Sequence, residues 1–281
     1  MDRTGQVASA FVAARAAAQG LAQWPGALPA TLEEAYALQR QTQLLWDEAA
    51  GGVKVGRVLN EWTQRLGVDR FIGPVDSTAI RIAPDAGEAI FPVISGGTAL
   101  LECEIVVVLG TDAPDGTALG GAPLSVEAAL KLIGGMNIGI EVAGSPMVDI
   151  NTLGPLASIA CFGNNNGAIV GRDIRDWRHL DLTSLACTAW IDGAIVGQGD
   201  TARLPGGIGA ALAFACTQAA RISAPLRRGD IVCTGALTGM HPIAAGQRAK
   251  VDFGALGSIQ CIAVEQGARG KTKQDGKCTG W

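Results

Sequence analysis

The chain has 281 residues, 48% of them hydrophobic and 17% charged, a balance that suits a globular protein with a substantial core and excludes a disordered or fibrous one. Its formal net charge of -4 and the lack of any Lys/Arg run interleaved with aromatics exclude nucleic acid as a partner. No apolar stretch approaches the roughly 20 residues that cross a bilayer, and seven cysteines without a C-x-x-C pair fit a reducing compartment, so a cytoplasmic protein with no membrane association is expected.

In chain order, the Ala-rich run over 6–20 predicts a first helix, and Arg15 interrupts its apolar stretch, unlike the core of a signal peptide. Thr31 with Glu34 three residues later has the capping-box spacing, and Ala35, Leu38, Leu45 and Ala49 recur on one face of a second helix stopped by Gly51 and Gly52. Short irregular apolar pieces follow over 53–92. Residues 1–75 are therefore expected to form a small helical N-terminal region.

A β-rich domain is expected over 76–266. Strands are predicted over 105–109, 138–142, 156–162, 168–171 and 185–191, the last turning through Asp192-Gly193 into 194–197. Helices are predicted over 125–136, capped by Ser125, and over 207–222, ending before Pro225. Strands over 231–234, 247–253 and 258–264 close the series. Many short strands with two long helices predict an α+β fold with a curled or closed sheet, not alternating βαβ units. The polar, Gly/Lys-rich stretch 267–281 is expected to be a disordered tail.

Glu102 and Glu104 open the apolar run from Leu100 to Leu109. Residues two apart in a strand share a face, and two like charges on a half-buried face each cost several kcal/mol unless water, a proton or a cation relieves them. Glu141 is a third acid in an apolar strand. Three carboxylates with no histidine nearby in sequence favour Mg²⁺ or Mn²⁺ over zinc or copper, leaving other coordination positions for water and substrate. The alternative is a solvent-facing strand edge, where paired glutamates only hinder aggregation.

Lys54 lies among small and apolar residues, as a desolvated proton donor or acceptor would, or as a surface lysine with a covered stem. Asp69 and Asp76, in a turn-rich stretch, are candidates for a second acid or base, or for turn formation alone. Thr234-Gly235 ends a strand with a hydroxyl and a residue lacking a side chain, a place for a substrate carboxylate to approach the backbone. Gly163-Asn164-Asn165-Asn166-Gly167 has turn chemistry first and ligand-loop chemistry second, and neither His179 nor His241 stands out as a base. There is no G-x-S-x-G elbow, Walker loop or Rossmann fingerprint.

Taken together and in order, Val53-Lys54-Val55-Gly56, Leu66-Gly67-Val68-Asp69, Glu102-Cys103-Glu104-Ile105, Ile140-Glu141-Val142-Ala143-Gly144-Ser145 and the run from Pro225 to Leu237 resemble the 2-keto-4-pentenoate hydratase branch of the fumarylacetoacetate hydrolase superfamily. The resemblance extends from about residue 30 to 265. It implies a curled mixed β-sheet core, of β-roll or barrel type, with a small helical N-terminal region, in a homo-oligomer. It places a metal on Glu102, Glu104 and Glu141, makes Lys54 an active-site residue with Asp69 or Asp76 beside it, and puts Ser145, Thr234 and Gly235 at the substrate.

The implied activity is that of a hydro-lyase in aromatic-compound catabolism. A small 2-oxo acid, 2-hydroxypenta-2,4-dienoate or a relative, would bind Mg²⁺ or Mn²⁺ through its carboxylate and 2-oxygen, ketonise and take up water to give a 4-hydroxy-2-oxo acid. The chain departs from the family at two places. Ser145-Pro146-Met147 stands where members carry Ser-Arg, and Arg70-Phe71-Ile72-Gly73 replaces an acidic-proline stretch. Three other readings accompany these departures. One is decarboxylation of a 2-oxo-3-enedioate, with Arg57 or Arg70 receiving the second carboxylate; another is carbon-carbon cleavage of an acylpyruvate; the third is an inactive partner subunit.

Overall fold

A computed structural model describes residues 3–59 and 61–269. The two expected N-terminal helices are α1 (Arg3–Ala17) and α2 (Leu32–Trp46). Thr31 Oγ1 accepts the Glu34 backbone N–H as the capping spacing predicts, while the Glu34 carboxylate returns to the Ala30 N–H, one residue before the cap.

The segment predicted to be irregular holds β1 (Ala50–Arg57), α3 (Glu61–Leu66), β2 (Arg70–Asp76), β3 (Ile80–Ile82) and β4 (Ala89–Val93). Residues 1–75 thus contribute strands as well as helices. β1 has little intrinsic strand character, with three glycines in eight residues; its place between two partners supplies what propensity does not. Gly52 is required there, because a Cβ would lie 2.0 Å from the Ile231 carbonyl oxygen.

Beyond these lie β5 (Thr98–Leu109), α4 (Gly116–Leu119), α5 (Val126–Lys131), β6 (Ile133–Ser145), α6 (Pro155–Ala160), β7 (Asn165–Asp173), β8 (Ala186–Ile191), β9 (Ala194–Asp200) and α7 (Gly207–Arg221). The chain continues through β10 (Ile231–Cys233), β11 (His241–Pro242), β12 (Arg248–Asp252) and β13 (Ser258–Glu265). Two predictions need correction. The strand over 156–162 is the helix α6 and a following turn; Leu156 to Ala160 are all buried, so the run has no polar face to reveal its period, and Pro155 sits where proline favours a helix start. The helix over 125–136 is capped by Ser125, whose Oγ accepts the Ala128 N–H, but stops at Lys131 because β6 begins at Ile133.

The large sheet has the order β2-β1-β10-β5-β6-β7-β3, with β11 also on β5; the smaller one runs β4-β13-β12-β8-β9. β1 runs parallel to β10, β3 to β7 and β4 to β13, while the other pairs are antiparallel. The sheets are therefore mixed, in an α+β fold. β2 and β7 stand far apart in the strand order yet pack together, which curls the large sheet. The free edge of β2 is covered by α2, whose Tyr36 hydroxyl accepts the Ile72 N–H and whose Gln39 Nε2 donates to the Ile72 carbonyl. Asp192 and Gly193, at φ 49° and 80°, form the expected β8–β9 hairpin turn.

Among the described residues no helix is long and apolar enough to cross a membrane. Most of the expected tail, 270–281, lies outside the described residues. Arg269, just before it, pairs with Glu48 and stacks over Trp46 at 4.5 Å.

Candidate metal centre

Strand pairing assembles the three acids. β5 and β6 pair so that Glu102 and Glu141 are direct Cα partners, while Glu104 lies opposite Gly139 two residues along. All three therefore project from one face, and one carboxylate oxygen of each lies within 4.8 Å of the others. They are buried, at 5%, 0% and 0% exposure for Glu102, Glu104 and Glu141, which excludes the solvent-edge alternative.

Lys54 on β1, itself 4% exposed, points Nζ at Glu141 Oε1 at 3.1 Å. Asn165 Nδ2, at the start of β7, donates to that same oxygen at 3.1 Å. Glu104 Oε2 accepts the Gly235 N–H at 2.9 Å. Among the described residues no donor reaches Glu104 Oε1 or Glu141 Oε2, although both are buried.

The charge balance of this cluster has to be relieved by protons or by a cation. Ionised together, three carboxylates against one ammonium would leave two negative charges among buried side chains. Burial, followed by the charge of Glu141, pushes Glu102 up to about 8, with Lys54 pulling the other way. Burial and then Glu141 and Glu102 raise Glu104 well above the ordinary carboxylate range. For Lys54 burial favours the neutral amine, but the three glutamates outweigh it and hold the ammonium above its ordinary value. A hard divalent cation fits the donor set, since all three side chains offer oxygen and two buried oxygens have no other partner.

The cluster opens into a cavity of about 650 Å³ lined by Lys54, Glu102, Asn164 and the 234–236 segment, with Arg57, Arg70 and Arg203 on its walls. Thr234 is held by its Oγ1, which donates to the Ile105 carbonyl at 2.8 Å. Asp69 also lines the cavity, with both carboxylate oxygens taken by Arg70 at 2.8 Å, and this pairing lowers its pKa. Asp76 is not among the lining residues: it accepts from Trp46 Nε1 at 2.6 Å and caps the Ser77–Ala79 turn through Thr78. The expected proton-transfer role of Asp76 thus gives way to a capping one. Ser145 is also off the cavity, its Oγ accepting the Met147 N–H at 3.1 Å.

Asn164, Asn165 and Arg203 were not singled out for this site by their sequence pattern. The Gly163–Gly167 stretch carried a weak signal as a ligand loop, whereas nothing local marks Arg203, which reaches the cavity from a short turn far along the chain.

Comparison with known proteins gives the chain a family and a fold. Residues 70–263 match the family described as fumarylacetoacetate (FAA) hydrolase, C-terminal. The chain is 32% identical over 131 residues to the 2-keto-4-pentenoate hydratase of Burkholderia vietnamiensis, covering 45% of this chain and 48% of that one. It is 33% identical over 131 residues, with the same coverage, to its counterpart in Paraburkholderia phymatum. The match thus spans about half the length of these curated relatives. A 4-oxalocrotonate decarboxylase from Pseudomonas putida G7, complexed with magnesium and adipate, has a similar fold at a TM-score of 0.76, with 19% identity over 93% of this chain and 97% of that one.

Proposed function

This chain belongs to the fumarylacetoacetate hydrolase family, and on that premise we propose that it is a metal-dependent hydro-lyase. Its substrate is 2-hydroxypenta-2,4-dienoate or a related 2-hydroxydienoate, and its product a 4-hydroxy-2-oxo acid. The observation that carries this reading is the buried trio Glu102, Glu104 and Glu141, which holds two unpartnered oxygens and whose Glu102 lines a cavity large enough for a small acid. These residues would hold Mg²⁺ or Mn²⁺, which supplies a Lewis acid for the negative charge on a 2-oxygen.

The protein groups do the rest. The 2-hydroxyl proton must leave, a proton must reach C5 to give the conjugated ketone, and water must then add at C4 with a proton to C3. Lys54 is the ammonium within the cavity wall, placed to deliver and retrieve these protons. Asp69, at the same cavity, is the second candidate, its basicity reduced by Arg70. The Thr234-Gly235 backbone borders the site where the substrate carboxylate enters.

One observation favours a second reading, decarboxylation of a 2-oxo-3-enedioate: Arg57 and Arg203 line the same cavity and suit a second carboxylate, whereas Arg70 there is held by Asp69.

An ultraviolet assay of 2-hydroxypenta-2,4-dienoate and 2-hydroxymuconate, with Mg²⁺, Mn²⁺ or chelator, on wild type and Glu104→Gln tests both. The leading reading expects turnover of the first compound, at least 100-fold lower in chelator and in the variant. Turnover indifferent to both changes would sink it, and preference for 2-hydroxymuconate with release of CO₂ would select the second.

A further inference from the structure

We propose that Arg15, on α1, is a positioning residue for the metal centre: it fixes the turn that carries Asn165, and Asn165 holds Glu141 Oε1 so that Oε2 remains for the cation. This rests on the metal-dependent reading above.

Arg15 is 7% exposed, and among the described residues no carboxylate lies within ion-pair distance of it. Its guanidinium instead donates from Nη1 to Asn166 Oδ1 at 3.1 Å and from Nη2 to the Asn165 carbonyl. It also stacks over the rings of Phe162 at 4.8 Å and Trp46 at 5.9 Å. Asp76 favours this charge from beyond ion-pair distance, but among the described residues the direct partners of the guanidinium are carbonyl oxygens and ring faces, a costly way to pack a helix that points to a need elsewhere.

That need is the turn between its contacts. Phe162, Gly163 and Asn164 are consecutive left-handed residues, at φ 57°, 67° and 58°. Phenylalanine resists this conformation, which glycine and asparagine tolerate, and at Phe162 it persists only where its surroundings over-determine it. Arg15 grips both ends, the ring of Phe162 and the carbonyl of Asn165. The fork and flat face of a guanidinium allow both contacts at once, and a lysine could not make them together.

Downstream, Asn165 is locked by its own amide. Its Oδ1 accepts the Gly167 N–H at 2.9 Å, and Nδ2 donates to the Gly167 carbonyl and Glu141 Oε1, each at 3.1 Å. With Lys54 also on Oε1, that oxygen is saturated and Oε2 is left free. Outer partners of this kind set the orientation of a metal-binding carboxylate. Arg15 lies well before the 70–263 segment that matches the family, so this would be a contribution of the chain's own N-terminal helix.

The test measures Mn²⁺ affinity of the full chain by titration calorimetry and by electron paramagnetic resonance of free Mn²⁺, with thermal midpoints in chelator. Wild type, Arg15→Lys, Arg15→Gln, Asn165→Ala and each Arg15 variant combined with Asn165→Ala are compared. Asn165→Ala and Arg15→Gln are expected to weaken Mn²⁺ about 10- to 100-fold, the usual cost of losing an outer partner. Arg15→Lys should recover only part of that, and the combined variants should bind no more weakly than Asn165→Ala alone. Wild-type affinity in the Arg15 variants, or losses that multiply in the combined ones, overturns the proposal and leaves the metal reading standing. A wild type that takes up no Mn²⁺ overturns both. Should Arg15→Gln not fold, Arg15→Lys alone and with Asn165→Ala gives the same discrimination.

Discussion

Lys54 Nζ and Glu141 Oε1 meet at 3.1 Å although their strands, β1 and β6, are separated by β10 and β5 in the sheet order. Three strand spacings amount to about 14 Å on a flat sheet, so the contact exists only because the sheet curls and turns one face inward. The cluster is thus a product of curvature. It joins a cation from the N-terminal part of the chain to acids from its middle.

Removing that cation isolates the acids. Lys54→Met is expected to destabilise the metal-free protein by about 3–5 kcal/mol, the cost of leaving one partner of a buried pair alone, and to lower kcat about 10²- to 10⁴-fold. Mn²⁺ affinity should hold or tighten, since a positive neighbour has gone. Melting in chelator, turnover and Mn²⁺ titration check the three parts; unchanged turnover would remove Lys54 from the proton-transfer role.

The pH response of the metal-free protein follows from Glu102, raised to about 8 from an ordinary 4.5 by burial and Glu141. Below the ordinary value the group is protonated in both folded and unfolded chains and carries no penalty. Between there and about 8 the unfolded chain ionises while the folded one keeps its proton, so stability falls as pH rises, and the loss is complete above the folded value. Thermal midpoints in chelator should therefore decline from pH 5 to 8.5, and saturating Mn²⁺ should remove most of the decline. A flat profile in chelator would contradict the burial of these acids.

Arg203 separates the two substrate readings. It lines the cavity, and among the described residues it makes no ion pair and one long hydrogen bond, Nη1 to the Leu237 carbonyl at 3.4 Å, which leaves its charge to a ligand. If a second carboxylate binds there, Arg203→Ala should raise KM for 2-hydroxymuconate about 10- to 100-fold, as loss of a charged hydrogen bond does, and leave KM for 2-hydroxypenta-2,4-dienoate within about twofold. Equal effects on both compounds would argue against a distal-carboxylate role.

Gly73 tests the closeness of β2 to the turn before β7. A Cβ there would lie 2.3 Å from the Phe162 carbonyl oxygen and 2.5 Å from the Gly163 Cα. Both are backbone atoms and cannot rotate away. Gly73→Ala should cost about 2–4 kcal/mol, in the upper range for single substitutions, and should weaken Mn²⁺ binding by moving Asn165. A variant as stable as wild type in denaturant would show that the turn yields freely.

Much of this is legible in the residues themselves. Thr31 and Glu34 mark a helix start because capping is a local interaction, and Asp192-Gly193 marks a hairpin because only a few residues accept its left-handed turn. Glu102, Glu104 and Glu141 stand out because a charge in an apolar strand is anomalous wherever the strand lies. The apolar run at 156–162 and the glycine-rich β1 were misleading for the converse reason: burial on all sides erases periodicity, and pairing with neighbours overrides weak propensity.

The sequence by itself therefore marked Glu102, Glu104 and Glu141 as anomalous acids with hard oxygen donors, since both properties depend on residue type and on spacing along a strand. Only the tertiary structure decided that Asp76 caps a turn while Asp69 reaches the cavity, that Arg203 joins it, and that Arg15 and Asn165 stand behind Glu141. Those relationships depend on how far the large sheet curls and on which distant turns it brings together, and no local pattern encodes distances between segments more than a hundred residues apart.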